Sequence, residues 1–339
     1  MDFQYKYIIL GSNWDFYLNA YKDAINHPDI EYHSSYSKNI LDKLVSYFHL
    51  HNRINSVINL PFKEIWAKKL IKIKEPKFEL DNICFIVFYG WICNNFDVLE
   101  TIKKQYPEAK IIVIFNDLIK AQTLKYTNEP LDIDYIKKAS NLVITFDFKE
   151  ADEYGLTYHH IPYSMPNNDN SSEANADITY DVYFLGQAKN RLPQIMDAYF
   201  KLVKQGLKVN FILSNVPKKD RQIHDGITYT DGMGISYYNN LKNVSNSRCL
   251  LEIMQQNGSG YTSRTLEAIA YGKRLISNNE FLKRAPFYNP QYIAVTSSFN
   301  DLTPKFIADI KEGTNVDYNY IHELSPIKLI EFIESKLKS

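Results

Sequence analysis

Cys249–Asn279, CLLEIMQQNGSGYTSRTLEAIAYGKRLISNN, is the stretch whose reading decides the fold. Cys249–Ile253 is a short apolar run suited to a buried strand. Gln255–Tyr261 contains Gly258 and Gly260 and can turn freely. Thr262 and Ser263 are able to cap a helix whose apolar stripe is Leu266, Ile269 and Ala270. Gly272 is expected to stop that helix in the left-handed conformation, and Arg274–Ser277 is the next strand. A helix that begins beyond a buried parallel strand aims its unpaired N–H groups at the crevice where α/β folds bind ligands. Its first turn here also carries two hydroxyls and Arg264, which suits a phosphate. Glu267 lies one turn further on the same face.

Strands and helices alternate on both sides of this stretch, with no hairpin signals, so a parallel sheet covered on both faces is expected. Before it, strands are read at Tyr5–Leu10, Ile30–His33, Ile83–Phe88, Lys110–Phe115, Leu142–Phe146 and Tyr158–Ile161. Helices are read at Trp14–Ile25, Phe96–Gln105 and Leu131–Ala139. The alternation breaks in PYSMPNNDNSSEANADIT, Pro162–Thr179, which has no apolar period and reads as a linker. It resumes with strands at Asp181–Leu185, Lys208–Leu213 and Ile227–Thr230 and helices at Arg191–Gln205 and Ile235–Val244. The expected organisation is an N-terminal Rossmann-like domain (1–165), a linker (166–179), a second Rossmann-like domain (180–322) and a C-terminal helix (323–339) that packs back on the first. Two such halves would face each other across a cleft.

Composition removes several function classes. Lys+Arg and Asp+Glu both number 39 in 339 residues, so the net charge is zero, which argues against a general nucleic-acid binder. No apolar run approaches the roughly 20 residues of a membrane span, and MDFQYKYIIL reads as a first strand rather than a signal peptide. Three cysteines, Cys84, Cys93 and Cys249, do not suit a disulfide framework, and Cys84 and Cys249 fall in apolar strand-like runs that suit buried thiols in a reducing cytoplasm. No Cys/His spacing fits zinc, and the neighbours His159 and His160 read as structural.

The second half gathers phosphate-binding chemistry. Gly186-Gln187-Ala188-Lys189-Asn190-Arg191 follows its first strand, and Lys189 and Arg191 can neutralise phosphate charge. Strand ends in a doubly wound sheet line one crevice, so Lys189, Arg191, Thr262, Ser263 and Arg264 are expected around one diphosphate. Glu267 would take a ribose diol, and Asp231–Tyr238 would lie near a base through Met233 or Ile235. The alternative for Arg264 and Glu267 is a surface ion pair at i, i+3 spacing. Neither a G-x-G-x-x-G fingerprint in that loop nor a P-loop is present, so phosphoryl transfer from ATP is not supported.

Ser263–Asn279 resembles the donor-binding segment of GT-B-fold glycosyltransferases, whose Glu-Ala-x-Ala-x-Gly-x-x-x-Ile core matches Glu267–Ile276. DVYFLGQAKNR, Asp181–Arg191, is similar to the start of their C-terminal domain, and the likeness is strongest to bacterial enzymes of capsule, exopolysaccharide and lipopolysaccharide synthesis. The resemblance implies that the basic loop and helix N-terminus bind the diphosphate of a sugar nucleotide and that Glu267 binds the ribose. Many retaining members carry a second glutamate eight positions earlier; here that position is Ser259, so stereochemistry does not carry over. An inverting enzyme would need a general base in the first half, with Asp117 first and Asp15 second, the alternative for Asp117 being a helix N-cap. Positive side chains on the leaving diphosphate can replace a metal, so no metal and no cofactor are expected.

The expected activity is transfer from a nucleoside-diphosphate sugar, UDP-linked, to a glycan or lipid-linked acceptor of bacterial surface polysaccharide. Rivals are a sugar-nucleotide 2-epimerase and a non-catalytic sugar-nucleotide-binding partner. Residues 54–74 place Lys63, Lys68, Lys69, Lys72 and Lys74 among Ile65, Trp66, Leu70 and Ile71. That pattern suits either an ordinary packed helix or peripheral contact at the inner face of the plasma membrane.

Overall fold

The computed structural model describes residues 3–34, 54, 57–58, 82–94, 98–125, 128–166, 178–232, 234–255, 258–314 and 316–338. The expected linker core (167–177), most of the basic stretch 54–74 and Met233 lie outside the described residues. The chain divides into two compact units, Met1–Ser164 with Ser325–Ser339, and Met165–Leu324.

The first unit begins with β1 (Lys6–Gly11), whose Tyr7–Leu10 are buried. Short helices α1 (Asp15–Ala20) and α2 (Lys22–Ile25) follow, then β2 (Ile30–Ser34). The single helix expected over Trp14–Ile25 is thus broken at Tyr21, whose φ of −101° and ψ of 12° leave the helical well. Next come β3 (Ile83–Phe88), α3 (Tyr89–Asn94), α4 (Val98–Gln105), β4 (Lys110–Phe115) and α5 (Ile133–Ala139). After β5 (Leu142–Thr145), helix α6 (Phe148–Tyr154) was not expected from sequence; Asp147 caps it by accepting from Lys149 N and Glu150 N. β6 (Thr157–Tyr158) closes a parallel sheet of order β2-β1-β3-β4-β5-β6.

The second unit repeats the plan. Its elements in order are β7 (Tyr180–Gln187), α7 (Leu192–Lys204), β8 (Val209–Ser214), β9 (Ile227–Thr230), α8 (Tyr237–Ser245) and β10 (Ser247–Glu252). They continue with α9 (Ser263–Ala270), β11 (Arg274–Ser277), β12 (Ile293–Val295) and α10 (Pro304–Glu312). Lys189–Arg191 forms a 3-10 turn ahead of α7 instead of the helix start expected there. The sheet runs β12-β11-β10-β7-β8-β9, all parallel. Val182 and Phe184 of β7, Phe211 of β8 and Leu251 of β10 are nearly or fully buried and form the centre of one core with Ile195 and Phe306. The final helix α11 (Pro326–Leu337) belongs to the first unit: Glu334 accepts hydrogen bonds from Gln4 N (2.6 Å) and Tyr7 Oη (3.2 Å).

Both sheets change direction beside their first strand. From β1 the chain adds β2 on one side and returns to β3 on the other; from β7 it adds β8 and β9 before returning to β10. A crevice opens at such a point beyond the carboxyl ends of the strands, because the connections leave on opposite faces.

Candidate functional site: the switch point of the second sheet

The loops after β7 and β10 meet at this switch point. Arg191 spans them: its guanidinium donates to Gln187 O (2.6 Å), the last residue of β7, and to Ile253 O just past β10. It is half-buried, no carboxylate pairs with it among the described residues, and burial pulls its pKa down. A desolvated cation held only by carbonyl oxygens gains from an anion. Lys189 is exposed, takes a φ of +44°, and donates to Gln255 Oε1 (3.0 Å) on the β10–α9 loop. Two cations therefore follow the end of β7 and reach the loop after β10, which leads into α9, a helix whose first backbone N–H groups also favour anions.

A buried carboxylate that the sequence reading did not single out braces this loop. Glu252, the last residue of β10, is 2% exposed. It accepts hydrogen bonds from the hydroxyls of Thr262, Thr265 (2.8 Å) and Ser277, so it joins β10, α9 and β11. Thr262 also accepts from Arg264 N (3.1 Å), capping α9. Asn278 Oδ1 accepts from Met254 N (2.7 Å), and Asn279 donates to Gly260 O (3.0 Å), which fixes both ends of the loop. The available signal was an acid ending an apolar strand run, ahead of hydroxyls able to satisfy it.

Arg264 and Glu267 face each other as their spacing indicated, but Glu267 is fully buried and Arg264 largely so. Arg264 Nη1 lies 2.5 Å from Glu267 Oε2, and Glu267 is 0% exposed. Asn240 donates to Glu267 Oε1 (2.9 Å) and accepts from Arg264 (2.9 Å) and Tyr183 Oη (3.1 Å). Tyr237 adds a second donor to Oε1 at 3.1 Å. Burial raises the Glu267 pKa, while Arg264, Tyr237 and Asn240 oppose that rise. Thr262, Arg264 and Glu267 are thus engaged in a protein network, whereas Ser263 is half-buried in the first turn of α9.

Ile235 is half-buried in the loop before α8. Gly234 beside it has a φ of +92°, and a Cβ there would stand 3.8–3.9 Å from Ser214, Thr230 and Leu185, so this loop lies over the ends of β8 and β9 and close to that of β7. In the first unit Asp117 is exposed just past β4, and its Oδ1 accepts from Leu118 N (2.8 Å). Asp15 is exposed in the first turn of α1. The described residues contain no group of three or more potential metal ligands and no helix long and apolar enough to cross a membrane.

No protein-family model matches the sequence, and no curated protein gives a significant match. Solved structures do. An alpha-glucosyltransferase in complex with UDP and a 13-mer DNA containing a HMU base superposes with a TM-score of 0.58 at 11% identity, covering 98% of this chain and 99% of that one. A glycosyltransferase from Rickettsia africae gives a TM-score of 0.51 at 11% identity, covering 99% and 100%. The chain has the GT-B fold. At such low identity the likeness fixes the two doubly wound units and their order, and the chemistry has to be argued from the residues.

Proposed function

We propose that this chain is a glycosyltransferase that takes a UDP-linked sugar at the switch point of its second unit and passes the sugar to a glycan or lipid-linked acceptor. The observation that carries the reading is Arg191, a half-buried guanidinium with no carboxylate partner among the described residues, joined by Lys189 after β7, both bonded to the loop that leads from β10 to α9. A diphosphate would supply the missing negative charge, and it is also the leaving group. Cations fixed on it stabilise charge as the glycosidic bond breaks, so transfer is proposed to run without a metal. Ser263 and the α9 N-terminus complete the phosphate side.

Ile235 and the loop around it are assigned to the base, with Met233 assigned there from the sequence. Arg264 lies over Glu267 in this structure. In the proposal it turns toward the diphosphate, freeing Oε2 of Glu267 for a ribose hydroxyl. Asp117 is assigned as general base ahead of Asp15 should the reaction invert the sugar. Burial raises the pKa values of Tyr17 in α1 and Tyr89 in α3, and the charge of Asp117 adds to both.

The bacterial surface-polysaccharide role rests on the sequence likeness of 181–191 and 263–279, and peripheral contact through residues 54–74 on their basic, apolar pattern. Melting-temperature shifts with UDP, GDP and CDP, followed by donor hydrolysis with and without EDTA, test the reading. A shift confined to UDP and hydrolysis unaffected by chelator are expected. No shift with any of the three would reject the donor site, and reversible loss with EDTA would reject metal-independent transfer. Binding to anionic vesicles that weakens with salt is expected for the membrane contact.

A further inference from the structure

The first unit has a cavity of its own. It measures about 290 Å³ and lies at the carboxyl ends of β1 and β3, the switch point of that sheet. Its aromatic wall is Trp14, Tyr17, Tyr89 and Trp91. Trp14 is 57% exposed although it stacks on Tyr17, with centroids 6.4 Å apart and planes at 27°. A large apolar ring left open beside a cavity is a surface with something to cover.

The walls are fixed in place. Trp91 is 4% exposed and its indole donates to Gly11 O (2.7 Å). Tyr32 accepts from Ser12 N (2.9 Å) and donates to Ser12 O (2.7 Å), holding the β1–α1 loop from beneath. Gly11 allows this, since a Cβ there would strike the Tyr32 ring at 2.3 Å. On the far side Lys125 N donates to Cys93 O (3.0 Å). A Cβ built on Gly90 meets nothing within 4 Å, so this residue of α3 opens onto free space. The site is therefore preformed, at the small end of the range for ligand pockets, about 300 Å³.

Phe88, Cys93 and Ala121 add to the apolar wall, and Ser12, Asn13, Gln122 and Thr123 supply a neutral polar rim; among the described lining residues Lys125 is the one charged side chain and none is a carboxylate. An acyl chain would leave these amides and hydroxyls without partners. A nucleic-acid strand would call for a row of cations along its phosphates, and the lining offers one. A pyranose ring fits both surfaces. Its C–H face carries slight positive charge that meets the negative face of an indole, and its hydroxyl rim suits amides and hydroxyls.

We infer that this cavity binds a pyranose ring of the acceptor, stacked on Trp14. The inference rests on the glycosyltransferase reading for the word acceptor, but the sugar site itself can be tested without it.

The experiment titrates the full chain with methyl pyranosides (glucoside, galactoside, N-acetylglucosaminide, rhamnoside and glucuronide). Intrinsic tryptophan fluorescence and saturation-transfer NMR are the readouts, with a 13-mer oligonucleotide and a short-chain lipid as the competing classes. At least one pyranoside should bind, and Trp14→Ala should weaken it about tenfold. Gly90→Leu should block it by filling the cavity. Neither residue lies in the second unit, so both variants should keep the wild-type melting shift with UDP. That shift separates the two claims, because its absence counts against the donor site while pyranoside binding stands or falls independently. Failure of every pyranoside, binding unchanged in both variants, or preference for the oligonucleotide or lipid would overturn the inference.

Discussion

At single residues, the charges differ in whether they already have partners. Arg264 has Glu267 and Asn240; among the described residues Arg191 has only carbonyls. Arg264→Ala removes the cation paired with a fully buried carboxylate, so it should cost about 3 kcal/mol of stability as well as UDP affinity, read by urea denaturation and by the ligand-induced shift in Tm. Glu252→Ala leaves three hydroxyls without their acceptor. It should lower stability by roughly 2–4 kcal/mol and weaken UDP binding indirectly, through the loop it braces. The positions of Lys189, Arg191, Arg264 and Glu267 were legible because each belongs to a strand end or a helical face. The partnerships of Glu252, Asn240, Tyr237 and Gln255 were not, since they join residues from separate elements and only the folded chain brings them together.

At the scale of elements, the strands were the most readable part, because a buried parallel strand must be an apolar run. Helix α6 escaped notice because FKEADEY is short and charged, with little apolar stripe to reveal it; its evidence is the Asp147 cap. The expected end of α9 holds: Gly272 has a φ of +58° and a Cβ there would lie 2.7 Å from Val316 O. Gly272→Ala should therefore destabilise the second unit by at least about 1 kcal/mol, measured as a lower Tm. The His159–Phe332 contact, with ring centroids 4.8 Å apart, joins the end of the first sheet to α11. Burial lowers the His159 pKa from 6.5 to about 4, with His160 adding to the effect. A depressed folded-state pKa stabilises fully above the unfolded value and loses that contribution as pH falls from about 6.5 toward 4. Tm should drop between pH 7 and pH 5, and His159→Phe should flatten that slope.

At the scale of the molecule, two doubly wound units of the same plan each open at a switch point. In one, cations and a helix N-terminus meet; in the other, aromatic rings and neutral polar groups do. The alternation of elements made the two halves readable. The aromatic cavity was not, because Trp14, Tyr17, Tyr89 and Trp91 come from two distant stretches that only the β1–β3 pairing unites. Helix α11 completes the first unit from the chain's far end, with Leu329, Ile330 and Ile333 buried. Removing residues 325–339 should expose apolar surface of that unit and lower its melting transition while leaving the UDP-induced shift of the second.

If Arg191 and Lys189 hold a diphosphate, calorimetric titration of UDP against uridine should reveal it. The two ligands share base and ribose, so their difference reports the phosphates alone. UDP should bind at least about a hundredfold tighter than uridine, as expected for two charge-assisted contacts of roughly 1.5–3 kcal/mol each. In folded Lys189→Ala/Arg191→Met protein most of that gap should close. Equal binding of UDP and uridine to the wild type, or a gap that survives the double substitution, would contradict the account.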